Sequence, residues 1–408
     1  MTRQVLVFGD TPGVGQALRV IPPAMVCGLV AAEIRPQYHR ELELLAADRA
    51  IPLLIQPRVT ATSYLEFVKR VRRLAPDLML VNSYSMLVRE DVLSIPARGA
   101  INVHMALLPE YRGCNPIQWA LLNDEPETGV TMHYMSPEFD TGDIIAQRRI
   151  PILFTDTWYS ILARLRDATE GLLIEELPKV FAGMNARRPQ DEARARYYKR
   201  RHPEDGEIVW DCSVRHIYNL IRALVKPNPG AFYQRQDGRV VLDQPLPVSA
   251  VAALKYGSGG ERQLSGEGVT LVPVAPSSRE SSMDYDLSRD NETVRFVIRF
   301  ADKGVGACGL SAIDYSTGTA RLWVEPGGGL EDPERCAAAV VPLLVFAVQE
   351  LGLRRVRCEI EPGADWLKTV LAAQGFADEE GTITMGPARM GQYVWECPGR
   401  DRARYVGG

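Results

Sequence analysis

The 408-residue sequence is short of several things, and each shortage excludes a class of protein. It lacks a long apolar run. No stretch reaches the ~18 apolar residues that cross a bilayer, and the longest, Ala337 to Val348, ends in Gln and Glu. It lacks an excess of one charge. Its 47 Lys and Arg stand against 51 Asp and Glu, a net charge of -4, which argues against a chain whose main task is holding a nucleic-acid backbone. It lacks paired cysteines. The seven Cys, at positions 27, 114, 212, 308, 336, 358 and 397, are scattered and never spaced as C-x-x-C. No disulfide framework, zinc ribbon or other metal site is therefore expected, and a reducing, cytoplasmic setting fits. The N-terminus, MTRQVLVFGDTPGVG, meets a Gly-rich turn where a secretory signal would continue its apolar core.

What is present is the composition of a globular protein, with length for two or three domains at ~150 residues each. The first half alternates short β-branched runs with amphipathic ones. Gln4 to Phe8, Pro22 to Val30, Leu78 to Val81, Gly99 to Val103, Gly129 to Tyr134 and Ile144 to Ile152 read as strands. Ser63 to Ala75 and Asp156 to Met184 read as helices, and Asp91 opens a short helix that stops before Pro96. Such alternation predicts an α/β domain with a largely parallel sheet over residues 1–190. A basic stretch from Arg187 to Arg201 then leads into a small α+β unit, 191–256. That unit holds a helix at Val214 to Val225 and a hairpin turning at Asp237-Gly238. Residues 257–291 are rich in Gly, Ser and charge and read as a linker. A last unit, 292–408, offers strands at Thr293 to Phe300, Gly306 to Ile313, Thr319 to Glu325 and Arg354 to Glu361, with helices at Pro333 to Leu351 and Ala364 to Gln374.

The densest chemistry lies between residues 101 and 152. Asn102 and His104 are two apart at the end of a predicted strand, so both side chains point to one face. In open α/β sheets that end of the strands is where ligands bind. Asp140 follows in a loop, before Thr141 and Gly142. An imidazole, an amide and a carboxylate suit transfer of an acyl group to an amine. The amine loses a proton, the developing oxyanion needs a donor, and the leaving nitrogen gains a proton. Taken singly, none of these residues is diagnostic: Asn-x-His pairs are mostly loop or capping residues, and Asp-Thr-Gly is mostly a turn. The five His (39, 104, 133, 202 and 216) do not single out His104 by composition. Gly9, Gly13 and Gly15 lack the G-x-G-x-x-G spacing of a dinucleotide site and read as a strand-to-helix turn.

Taken in order, Asn102-x-His104, Leu107-Leu108-Pro109, Tyr111-Arg112-Gly113, Gly129-Val130-Thr131 and Asp140-Thr141-Gly142 resemble the folate-dependent formyltransferases. The resemblance implies a Rossmann-like formyltransferase core with a parallel sheet. It also implies catalytic roles for Asn102, His104 and Asp140, and 10-formyltetrahydrofolate as formyl donor. Ser85, Met86, Leu87 and Val88 would hold the pterin, with Tyr134, Met135 and Phe139 forming its other wall. Met105, Arg112, Gly113, Asn115 and Arg201 would meet the acceptor. Ala106 departs from the pattern, which usually has Ser before Leu-Leu-Pro.

Residues 197–232 resemble the second subdomain of formyltransferases acting on sugar nucleotides, through Arg201, Pro203, Asp205-Gly206, Trp210, Asn219, Arg222, Pro229 and Gly230-Ala231-Phe232. A nucleotide-linked amino sugar is therefore the first acceptor to consider, an amino acid amine such as ornithine the second and methionyl-tRNA the third. The basic run Arg194, Arg196, Lys199, Arg200 and Arg201 is either a phosphate contact or a solvated face. The last unit resembles GNAT-type acyltransferases. Where that family cradles coenzyme A, this chain reads Pro326-Gly327-Gly328-Gly329-Leu330-Glu331-Asp332, with acidic residues in the phosphate position. A module that binds the acceptor or forms a homodimer is expected there, rather than acetyl-CoA chemistry. A hydrolase releasing formate from the same folate, or a folate-binding scaffold, are the alternatives to transfer. A membrane partner is not expected.

Overall fold

The computed structural model describes residues 3–256, 264–266, 269–274, 292–300, 303–325, 330, 332–359, 365–379 and 382–385. The chain divides into two compact units, the first built mainly from residues 1–152 and 160–201, the second from 153–159 and 202–401.

In chain order the first unit runs β1 (Val5–Phe8), α1 (Gly15–Val20), β2 (Val26–Ala32), α2 (His39–Asp48), β3 (Leu53–Gln56), α3 (Tyr64–Leu74), β4 (Leu78–Asn82) and α4 (Glu90–Leu93). It continues with β5 (Ala100–His104), β6 (Arg112–Gly113), α5 (Pro116–Leu122), β7 (Glu127–Tyr134), β8 (Ile144–Pro151), α6 (Trp158–Ala182) and β9 (Tyr197–Tyr198). The main sheet has the order β3-β2-β1-β4-β5-β7-β8. Its first five strands are parallel, while β7 and β8 are antiparallel additions. The central strands are apolar on both faces, as a parallel sheet covered on both sides requires: all four residues of β1 are buried. Helix α3 shows how the layers are held. Tyr64, Phe67, Val68 and Val71 form one buried stripe at helical spacing, while Lys69, Arg72 and Arg73 stay in water. Each such burial is worth about 1.5–3 kcal/mol, more than helix propensity supplies. Left-handed Ala75 (φ 44°), just before Pro76, ends the helix.

The second unit contains α7 (Val214–Ala223), the hairpin β10 (Ala231–Arg235) and β11 (Gly238–Leu242), and α8 (Val248–Tyr256). A second sheet follows, from β12 (Leu264–Gly266), β13 (Val269–Pro273), β14 (Val294–Phe300), β15 (Lys303–Asp314), β16 (Thr319–Glu325), β17 (Arg355–Cys358), β18 (Ala377–Glu379) and β19 (Thr382–Met385). Helices α9 (Pro333–Val345) and α10 (Asp365–Ala373) flank β17 in sequence. The strand order is β12-β13-β14-β15-β16-β17-β19-β18, antiparallel except for the parallel β16–β17 pair joined through α9. Asp332 caps α9 by accepting the Glu334 and Arg335 amides. The helix runs into a π-helical turn, Phe346–Glu350. Glu350 there meets Lys255 of α8 at 2.9 Å, and accepts from the Tyr256 hydroxyl and the Val214 amide. Arg222 of α7 places Nη1 within 3.1 Å of the carbonyl oxygens of Leu153, Phe154 and Asp156.

Two expectations about organisation change. Residues 257–291 are not a linker throughout, because Leu264–Gly266 and Val269–Pro273 are strands of the second sheet. The Gly-, Ser- and charge-rich surroundings hid two short strands, whose described buried residues are Leu264, Val269, Leu271 and Pro273. Residues 257–263, 267–268 and 275–291 of that expected linker lie outside the described residues. The stretch Arg187 to Arg201 is not a free connection either. It is laced to the first unit by the Ile144–Arg188 bridge and by the pairing of β9 with β6, so the unit ends near residue 201 rather than 190. Of the GNAT-like loop, residues 326–329 and 331 lie outside the described residues.

Candidate active site

Strand β5 delivers Asn102 and His104, and the antiparallel register of β7 sets His133 opposite Asn102 and Thr131 opposite His104. Residues opposite one another on paired strands share a sheet face, so four polar side chains gather there. Asp140 arrives from the loop between β7 and β8, in a left-handed conformation (φ 58°). Its Oδ1 lies 3.4 Å from Asn102 Nδ2, 3.6 Å from His133 Nε2 and 3.7 Å from His104 Nδ1. Its Oδ2 accepts the Gly113 amide at 2.9 Å.

The proton positions follow from the partners. His104 Nε2 is 2.6 Å from the Tyr111 carbonyl, and His133 Nδ1 is 2.8 Å from the Tyr134 carbonyl. A carbonyl only accepts, so each of those nitrogens carries hydrogen. The other nitrogen of each neutral ring then presents a lone pair towards Asp140. Asn102 Nδ2 reaches His133 Nε2 at 3.2 Å and donates to it. The result is a buried carboxylate faced by two imidazole lone pairs and bridged by one amide. Burial raises the Asp140 carboxyl, but once His104 takes up a second proton its positive charge, together with the His133 ring and the Gly113 amide, outweighs burial and holds the group well below the usual carboxylate range.

The loop 105–113 is tied down behind the cluster. Thr131 Oγ1 donates to the Ala106 carbonyl at 2.6 Å and accepts the Leu108 amide at 3.1 Å. Gln147 Nε2 bonds both the Leu108 carbonyl and Thr131 Oγ1. Ala106 itself is buried, and Met105 is half-buried beside it. Gly113 has φ 98°, and a Cβ there would meet the Tyr198 carbonyl oxygen at 2.4 Å, so only glycine brings this amide to Asp140.

Other expected contacts fare unevenly. Arg112 does not face an acceptor. Its side chain is 0% exposed, and Glu192, Gln190 and the Tyr197 hydroxyl take up its guanidinium. Pairing of β6 with β9 turns this side chain inward, which the motif alone does not reveal. Of the pterin segment, Val88 packs in the core with Leu6, Phe8 and Val92. The Ser85 amide is spent on buried Asp10 at 2.8 Å, and the Leu87 carbonyl accepts from Gln56 at 3.0 Å. Met86 is half-buried and the Leu87 side chain is exposed. On the opposite loop, Tyr134 is covered by Arg187, 4.0 Å from its ring centroid, and Met135 packs against the core. Phe139 is 58% exposed. Asn115 accepts the Arg201 amide at 3.0 Å, and the Arg201 guanidinium lies 5.0 Å from the Trp119 ring centroid. In the basic run, Arg194 pairs with Glu110, and Arg196 turns to the Ala193 and Ala195 carbonyls. His133, Thr131 and Gln147 were not foreseen. The signal for the first two was present, since Thr131-x-His133 repeats the two-residue spacing of Asn102-x-His104 on a neighbouring strand.

Comparison with known proteins bears on this arrangement. The model described as formyl transferase matches residues 5–177, and the model described as formyl transferase, C-terminal domain, matches residues 201–269. The chain belongs to the formyltransferase family. The C-terminal match runs into β13, so the formyltransferase portion reaches past the hairpin and α8. Among solved structures, a sugar N-formyltransferase from Shewanella sp FDAARGOS_354 is similar at 18% identity and a TM-score of 0.50. The likeness covers 60% of this chain and 98% of that one. A 4-N formyltransferase from Francisella tularensis gives the same identity, TM-score and coverage. These two show a shared fold. The family bears out the reading of the motifs: the chain is a folate-dependent N-formyltransferase. Among the described residues no helix is long and apolar enough to cross a membrane.

Proposed function

We propose that the first unit moves the formyl group of 10-formyltetrahydrofolate to a primary amine on a nucleotide-linked amino sugar. The observation that carries the chemistry is the cluster of Asn102, His104, His133 and Asp140 on one sheet face. As the amine nitrogen bonds to the formyl carbon, the formyl oxygen gains charge, and Asn102 Nδ2 is the donor that meets it by turning one of its two hydrogens away from Asp140, the longer of its two contacts. His104 Nδ1, the ring nitrogen left with a lone pair, takes the proton that the amine loses. The Asp140 carboxylate steadies that imidazolium. The same proton then passes to the departing folate nitrogen as its bond to the formyl carbon breaks. Atoms and charges balance, and the cluster ends as it began. Exposed Leu87 and Phe139 offer apolar surface suited to a flat pterin ring.

The sugar-nucleotide acceptor rests on the Arg201 to Phe232 motif, which lies inside the stretch that the C-terminal domain model matches. The GNAT-like reading of the second unit rests on its sequence motifs, and strands and helices follow there in the expected order. Titration of the full chain with acetyl-CoA tests whether that unit retains a coenzyme site. An acceptor screen that follows tetrahydrofolate release tests the main reading. Turnover with a nucleotide-linked amino sugar above ornithine and methionyl-tRNA supports it. Formate release without any amine makes the protein a hydrolase, and no turnover with any amine leaves a binding scaffold.

A further inference from the structure

Behind Asp140 lies a second polar layer that touches no reacting atom. Gln190 Nε2 donates to the Asp140 carbonyl at 2.6 Å and to the Gly142 carbonyl at 2.8 Å. Its Oε1 accepts from Arg112 Nε at 3.1 Å and Nη2 at 2.8 Å. Arg112 is closed on its other side by Glu192, at 2.9 and 2.6 Å, and by the Tyr197 hydroxyl at 3.0 Å. The fork of Arg112 orients the amide so that its NH2 group, not its oxygen, faces the two carbonyls. Both carbonyls belong to the turn that holds Asp140 at positive φ, a conformation that a non-glycine residue keeps only when its surroundings impose it. The next residue of β6, Gly113, binds the Asp140 carboxylate directly. Residues 112 and 113 therefore grip Asp140 twice, once through Gln190 at the main chain and once at the carboxylate.

We infer that Gln190, oriented by Arg112, is a positioning residue that fixes the Asp140 turn so that its carboxylate faces the two imidazoles. This rests on the formyl-transfer reading for its kinetic consequence, but not for its structural one. It explains why a charged side chain is fully buried so near the site, and why the stretch 187–198 is laced to the catalytic loops rather than left as a connection.

The test uses the full chain with Gln190→Ala, Gln190→Glu and Glu192→Gln. Gln190→Ala is expected to lower kcat at least tenfold, with the KM of each substrate within about threefold of wild type. Gln190→Glu brings an acceptor to two carbonyls and is expected to fall as far. Glu192→Gln leaves the buried Arg112 without its carboxylate, so kcat is expected to fall at least threefold with KM unchanged, and wild-type kcat there would overturn the role given to Arg112. An arm independent of activity reads amide exchange at Gly113, whose hydrogen bond to Asp140 loosens when the turn does. Protection there is expected to drop at least tenfold in Gln190→Ala. Wild-type exchange at Gly113 in Gln190→Ala overturns the inference whatever the reaction proves to be. So does a rise in KM at constant kcat, which makes Gln190 a substrate contact. An inactive wild type with loosened Gly113 in the variant refutes the formyl-transfer reading and leaves the positioning role standing. Should Gln190→Ala fail to fold, Gln190→Glu carries both arms with the same criteria.

Discussion

Replacing Asp140 by Asn keeps the size of the side chain and removes its charge. In the wild type the carboxylate stands 3.7 Å from His104 Nδ1 and 3.6 Å from His133 Nε2, with its side chain 11% exposed. At ~4 Å and an effective dielectric constant near 20, a carboxylate and an imidazolium attract by about 4 kcal/mol. A factor of ten in rate corresponds to about 1.4 kcal/mol, so full loss of that attraction is worth roughly three decades in kcat. The Asn amide keeps a dipole in place, and water entering the gap recovers part of the difference. The expected loss is therefore about 100-fold or more in kcat, with little change in the KM for the folate. The assay is tetrahydrofolate release at saturating amine. An Asp140→Asn enzyme that keeps a third of wild-type kcat would refute the electrostatic reasoning. A second readout is thermodynamic. The folded Asp140 carboxyl lies below its unfolded value of about 4, so its stabilisation is complete above that pH and is lost as pH falls through the folded value. The stability gap between wild type and Asp140→Asn is thus expected at pH 7 and should narrow below about pH 4 in denaturant titrations.

Three further outcomes are expected. Gly142→Ala places a Cβ 1.9 Å from the Tyr134 carbonyl oxygen, so the turn shifts and turnover falls at least tenfold; unchanged kinetics would mean the loop relaxes freely. In the second unit, Lys255→Met leaves Glu350 buried without its cation, and a cost of about 3–5 kcal/mol is expected from urea unfolding. The double variant Lys255→Met, Glu350→Leu should recover much of that cost, and equal losses in both would argue against a charge effect. Burial pushes Cys336 and Cys358 up to about 12 and raises Cys308 as well, so all three thiols should resist a disulfide reagent at pH 8 until the chain is unfolded. Labelling of Cys308 in the native protein would contradict its place in the core.

How far the sequence spoke differs by residue. Asn102, His104 and Asp140 were legible because their spacing sits inside a longer ordered motif. His133 was not singled out, because a lone His becomes meaningful only once the register of β7 against β5 places it beside Asn102. Arg112 stands in the motif that carries the resemblance, and the motif does not say which way the side chain turns, which the two-residue pairing with Tyr197–Tyr198 decides. Such short pairings leave no periodic trace. Strands β1, β4 and β5 announce themselves by short apolar runs. Helix α2 and strand β3 do not, since α2 buries only Leu42 and Ala46 and β3 is four residues long. Strands β12 and β13 were lost in Gly- and Ser-rich surroundings, whose composition predicts a linker and says nothing of a neighbouring strand that pairs with them.

The anchoring of the two imidazoles by main-chain oxygens has an evolutionary consequence. Tyr111 and Tyr134 hold the rings through their carbonyls, which every amino acid possesses. No single substitution at either position can delete the acceptor, only move it. The tautomer of each ring is thus encoded in the backbone path and shielded from point mutation. The side chains at 111 and 134 are used elsewhere, Tyr111 on Glu125 and Tyr198 and Tyr134 on Asn185 and Arg187, so losing either would disturb the packing around the site before it removed the ring's acceptor.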